Sequence, residues 1–411
     1  MVNVEGYFKS IGVGRPKSDA AYAKQGLKRF GKEFEKITSV IGARANGADV
    51  DPYELKNSSL DLSLYVGEHH ASNVWHEYAS WLSNENLPPP SEVLDLGCDN
   101  GVLTCLYATL WPEAKILGVE RSAAGVAIAR ELAKRLGLRN VSFEQSDARR
   151  FLDANMGRFQ IITATLVMHE FLADTKGRKP FTWEGEYERI EDITLSNIDL
   201  HSVETLKAVG RALTADGILI SLDRSPTLAS NWWYTQCLEE AGMKVSLARS
   251  HRIDCSGTSG DERFPLTVAR RVGEADKKTT AAEIVSLASF KELSALNMQF
   301  KEGLADVFVR AVGPTEIMFS AVCEHIDGSG TRTLQLLRAP TLLVLHDFTN
   351  HGFRTASVAP LVALPQVLSQ CNELASQLEA HCIVERNITE AAVSWLARMD
   401  CPTKEEFAST S

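Results

Sequence analysis

Short apolar runs and segments of helical period alternate through the middle of this chain. Val93–Leu96, Ile116–Val119, Val141–Phe143, Phe159–Leu166 and Ile218–Leu222 have the length of buried strands. Between them, Val102–Trp111, Ser122–Leu136 and Leu200–Leu213 repeat apolar residues at three- and four-residue spacing, the period of a helix with one buried face. This alternation predicts a mostly parallel sheet with helices on both faces. Asn231–Ala241 adds a helix closed by Gly242. Lys244–Ala248 and Leu266–Ala269 come next as two strands with no helix between them, so an antiparallel hairpin is expected at one edge.

The flanking segments read differently. Residues 1–17 are glycine-punctuated and predict irregular chain. Asp19 predicts the N-cap of one helix running to Ile41, and Ser72–Leu82 predicts a second amphipathic helix. Residues 1–90 therefore form a helical cap, ended by the stiff Leu87-Pro88-Pro89-Pro90. Residues 91–272 carry the sheet. Beyond a polar linker, 276–411 predict a smaller α+β domain. In it helices are expected at Ala281–Leu296, Glu302–Val312, Leu361–Leu378 and Glu390–Met399. Ile317–Ile326 and Thr331–Leu337 form a hairpin about Asp327-Gly328-Ser329-Gly330, and Thr341–Asp347 and Cys382–Glu385 are further strands. Residues 173–199 are too long and polar for an ordinary connection. They predict either a substrate-covering lid, with Trp183 among its aromatics, or an exposed insertion.

The chemistry concentrates at the first strand's end. Asp95 precedes the turn Gly97-Cys98-Asp99-Asn100-Gly101, and the second strand ends in Glu120. Glycines let a backbone approach a ligand where a Cβ would collide, and the helix N-terminus after the turn offers unpaired N–H groups. A strand-terminal acid can accept both hydroxyls of a ribose. The third glycine of a dinucleotide turn and the lysine of a phosphate-binding loop are missing from this stretch.

Together with Ser146-Asp147-Ala148 after the third strand, Val167-Met168-His169-Glu170 after the fourth and the Leu213–Ile220 pattern, these features resemble the class I S-adenosylmethionine-dependent methyltransferases over about residues 91–271. The resemblance implies a Rossmann-like, doubly wound α/β fold with S-adenosylmethionine as cofactor. It implies that Gly97, Cys98, Asp99 and Gly101 surround the methionine part and that Asp95 contacts its amino group. Glu120 would bind the ribose, while Asp147 and Ala148 bind the adenine with Arg121 beside it. The sequence departs from the family at Asp99, where a glycine is usual; aspartate tolerates the left-handed conformation better than most residues. His169 and Glu170 fall beside the expected methyl group. One is a general-base candidate, His169 the better one by its near-neutral pKa, or the pair serves only to position the strand–helix junction.

Around the site, Tyr65 and His69 are candidates to close over the cofactor, and Trp232 and Trp233 are either core residues or an aromatic wall for an acceptor. The three cap histidines lack a matching carboxylate or cysteine pattern, so no metal is expected. The net charge of −10 argues against broad nucleic-acid binding. Residues 1–45 are the exception at +5, from 9 basic and 4 acidic residues, either a solvated face or a guide for an anionic ligand. No apolar run is long enough to span a bilayer. The cysteines form no CxxC pair, so free thiols and a cytoplasmic setting are expected. The expected function is methyl transfer to an O, N or C nucleophile of a small molecule. Alternatives are a peptide or protein acceptor docked by 276–411, or a non-catalytic binding protein. A homodimer is left open.

Overall fold

The computed structural model describes residues 3–46, 48, 50–171, 200–223, 228–246, 249–257, 260–271, 296, 298–301, 303–313 and 315–398. The expected lid at 173–199 and the expected helix Ala281–Leu296, apart from Leu296 itself, lie outside them, as does Trp183. The chain divides into two compact units. The first takes Met1–Trp183, Asp199–Pro226 and Glu240–Val272; the second takes Glu184–Ile198, Thr227–Glu239 and Gly273–Ser411.

The first unit begins with helices. Residues 1–17 are not wholly irregular: Val4–Ile11 forms α1, because Asn3 accepts the Gly6 N–H at its start and Gly12 closes it in a left-handed conformation. The single helix expected from Asp19 is two, α2 (Asp19–Phe30) and α3 (Lys32–Ala45). Gly31 breaks it with φ 55° and ψ −124°, a conformation that only glycine adopts readily. A short helix α4 (Tyr53–Lys56) precedes α5 (Leu60–Asn84). The apolar spacing marks only the C-terminal half of α5; Ser59 caps it thirteen residues before Ser72.

The sheet is then built from β1 (Glu92–Leu96), α6 (Val102–Leu110), β2 (Lys115–Glu120), α7 (Ala123–Arg135), β3 (Val141–Gln145), α8 (Ala148–Ala154) and β4 (Phe159–Thr165). Then come α9 (Met168–Phe171), α10 (Leu200–Ala212), β5 (Leu213–Leu222), β6 (Met243–Val245), β7 (His251–Gly257) and β8 (Gly260–Arg271). The strand order is β3-β2-β1-β4-β5-β8-β6, with β7 paired to β8. The first five run parallel, and β8 is antiparallel to β5, β6 and β7. The mostly parallel sheet with an antiparallel edge is as expected, but β7 is an added strand. The order reverses between β1 and β4, the place where open α/β sheets bind ligands beyond their strands' carboxyl ends. Leu94, Leu96, Ile162, Leu132 and Leu106, all fully buried, show why these runs are apolar throughout.

The second unit is a six-stranded antiparallel sheet, in the order β14-β10-β11-β12-β13-β9. Its strands are β9 (Met298–Lys301), β10 (Glu316–His325), β11 (Thr331–Arg338), β12 (Leu342–Thr349), β13 (Arg354–Pro360) and β14 (Cys382–Ile388). Helix α11 (Leu228–Glu240) contributes all but its last residue to this unit, joined by α12 (Gly303–Ala311), α13 (Leu364–Leu378) and α14 (Glu390–Arg398). One core gathers α13 and α14 with Phe319, Leu334 and Leu343; another gathers α12 with Val344, Val358 and Trp232. Strands β9 and β13 were not expected.

Candidate active site

The turn after β1 is built by backbone. The Gly97 and Cys98 N–H groups both donate to the Val119 carbonyl, at 2.8 and 3.1 Å, folding the turn onto β2. Gly97 has φ 67°, and a Cβ there would lie 2.4 Å from Val167 Cγ2. Gly101 begins α6 at φ 76°, packed against Ala129. Asp99 takes a left-handed conformation, with φ 46°. Cys98 is a buried thiol, and burial pushes its pKa well up.

Three acids end three successive strand units, in three different environments. Asp95 is 3% exposed, and its oxygens accept the hydroxyls of Thr104 at 2.6 Å and Thr163 at 2.9 Å. Burial raises its carboxyl to about 6 despite those two bonds. It therefore ties β1 to α6 and β4. Glu120 accepts the Ser122 N–H at 2.8 Å and the Asp99 N–H at 3.1 Å, one on each oxygen. Each oxygen keeps a second lone pair, so both can still receive a hydroxyl. Burial, with the Asp99 carboxylate as a further cause, raises the Glu120 carboxyl. Asp147 caps α8 by accepting the Arg150 N–H at 2.9 Å, and Ala148 is the first residue of that helix.

A second group of side chains reaches these acids from the stretch 44–57, which sequence reasoning did not single out. Asp99 pairs with the Lys56 ammonium and accepts the Asn57 amide at 2.8 Å. Glu170 Oε1 accepts the Arg44 guanidinium at 2.7 Å and the Tyr53 hydroxyl at 2.9 Å. Arg121 lies 3.6 Å from Glu170 and 3.4 Å from Asp51. Ser122 donates to Glu54 at 2.7 Å. The only sequence signal here is Asp99 itself, a charge at a position that needed a glycine.

The remaining candidates fall elsewhere. His169 lies on α9, after β4, beside Glu170. Tyr65 and His69, expected to close over the cofactor, are packed into the helical cap instead. Both stack on Tyr22, at 5.2 and 3.7 Å between ring centroids, and Tyr65 donates its hydroxyl to the Tyr22 carbonyl at 2.7 Å. Burial lowers the His69 pKa. Trp232, 2% exposed, meets Phe308 edge-on at 5.8 Å inside the second unit, and Trp233 is buried on the same helix. Among the described residues, no group of three or more His, Cys, Asp or Glu could hold a metal ion. No described helix is long and apolar enough to cross a membrane.

The cradle fits the methyl donor that the sequence implies. Glycine at 97 lets the turn pack directly on Val167, where a Cβ would collide, and Glu120, beside it, retains acceptor capacity for a diol. Residues 89–239 match the family model described as a methyltransferase domain. Among solved structures, a SAM-dependent methyltransferase from Aquifex aeolicus shares 18% identity, covering 43% of this chain and 81% of its own, with a TM-score of 0.28. The mitomycin 7-O-methyltransferase MmcR shares 15%, covering 64% and 75%, with a TM-score of 0.39. PigF, solved with SAH, shares 13%, covering 61% and 73%, with a TM-score of 0.37. Residues 89–239 are therefore a SAM-dependent methyltransferase domain.

Proposed function

We propose that the enzyme transfers its methyl group to an oxygen, nitrogen or carbon nucleophile of a small molecule. The observation that supports this is the polar cover: Arg44, Asp51, Tyr53, Glu54, Lys56 and Asn57 reach down to Glu170, Arg121, Ser122 and Asp99. An acceptor that must fit beneath such a cover is small. The net charge of −10 gives a nucleic acid no broad attraction.

In this reading Gly97 and Gly101 admit the methionine part of the donor, Glu120 holds the ribose hydroxyls, and Asp147 with Ala148 holds the adenine. When bound, the donor supplies a methyl group on a positively charged sulfur. The protein's task is then to align the nucleophile and exclude water. Of the His169–Glu170 pair, His169 is the residue for removing an acceptor proton. Glu170 is engaged by Arg44 and Tyr53, and so fixes the cover.

The test supplies methyl-labelled S-adenosylmethionine and the full-length protein to a cell extract separated by size. Label in the small-molecule fraction is expected. Label confined to protein or nucleic acid would overturn the reading.

A further inference from the structure

An aspartate inside a turn meant to receive a carboxylate-bearing ligand invites repulsion, unless the site neutralises it. Here Asp99 is paired with Lys56, and the two side chains are 23% and 13% exposed. The pair is held from behind. Asn57, 2% exposed, donates to Asp99 at 2.8 Å and accepts the Ser63 hydroxyl at 2.6 Å. Ser63 in turn accepts the Asn100 amide at 3.0 Å, closing the chain back on the turn. A buried, connected polar network of this kind fixes its members rigidly.

The pair has capacity to spare. An ammonium carries three donors, and Asp99 engages Lys56 through one of its two oxygens. Asp95, the other acid at the turn, is 3% exposed and bonded by two threonines, so Asp99 is the turn's reachable carboxylate. A fixed negative–positive pair is complementary to a zwitterion, which presents the opposite two charges at similar spacing. We propose that Asp99 and Lys56 receive the amino-acid end of the methyl donor, Lys56 taking its carboxylate and Asp99 its ammonium. Asn57 and Ser63 are positioning residues. The proposal rests on the Gly97–Gly101 turn being the donor's cradle.

Two probes separate the proposal from its foundation. S-adenosylhomocysteine carries the amino-acid end; 5′-methylthioadenosine lacks it. Their affinities are measured by calorimetry for the full-length protein and for Lys56→Met, Lys56→Arg and Asp99→Gly. Lys56→Met is expected to weaken S-adenosylhomocysteine by about tenfold or more, the worth of a charged hydrogen bond. It leaves 5′-methylthioadenosine within about twofold, which also shows that the variant is folded. Lys56→Arg retains most of the affinity. Asp99→Gly, although it restores the family residue, weakens S-adenosylhomocysteine selectively. Unchanged S-adenosylhomocysteine binding in Lys56→Met, or equal weakening of both probes, overturns the proposal. Failure of the unaltered protein to bind either probe overturns the cradle itself.

Discussion

Asp95 braces the end of β1 against α6 and β4. It lies next to the last position of β1, where Thr104 and Thr163 each donate to one of its oxygens and burial raises its carboxyl to about 6. The sign of the consequence is fixed. The folded state holds this proton more tightly than the unfolded state, so this group's contribution falls as pH rises from about 4 to about 6. Asp95→Asn removes that penalty while keeping the shape. Urea unfolding is expected to show the variant gaining on the parent across that window, by on the order of 2–3 kcal/mol. A difference independent of pH would contradict this. The glycines, Glu120 and Asp147 were legible because their spacing around each strand end is local. Lys56 and Asn57 were not, because they lie 43 and 42 positions before Asp99 and share no period with it.

At the scale of elements, strands buried on both faces announced themselves as unbroken apolar runs, and β1, β2, β4 and β5 appear where those runs are. Elements without such a run were missed. β13 reads RTASVAP and β7 reads HRIDCSG, and each is defined by its neighbour's backbone more than by its own side chains. The glycine beside α1 suggested irregular chain, whereas Gly12 is its C-cap. The reverse error occurred at Gly31, where helical spacing continues in sequence across a real break between α2 and α3. Alanine there must adopt φ 55° with ψ −124° or rejoin the two helices. Gly31→Ala is expected to cost about 1–3 kcal/mol, read as a lowered denaturant midpoint. An unchanged midpoint would mean that the break is not set by this residue.

For the whole molecule, the chain does not pass once from one unit to the next. Residues 227–239 belong to the second unit although β5 before them and β6 after them belong to the first. Trp232 accordingly has its aromatic partners at Phe300 and Phe308, far along the sequence. A chain ended at residue 275 would strip this helix of those partners. It is expected to bind a hydrophobic dye and to lose solubility, whereas a cleanly separable second domain would leave a well-behaved fragment. The sequence pattern placed a boundary near 272 because composition changes there; it held no sign that α11 packs against Phe300 and Phe308. In the first unit, the strand ends are expected to hold S-adenosylmethionine, with Glu120 on the ribose. Calorimetry of S-adenosylhomocysteine with the full-length protein and with Glu120→Ala tests this most directly. Saturable binding by the parent, weakened by about tenfold or more in the variant, is the predicted result. Equal binding by both proteins, or none by the parent, would contradict it.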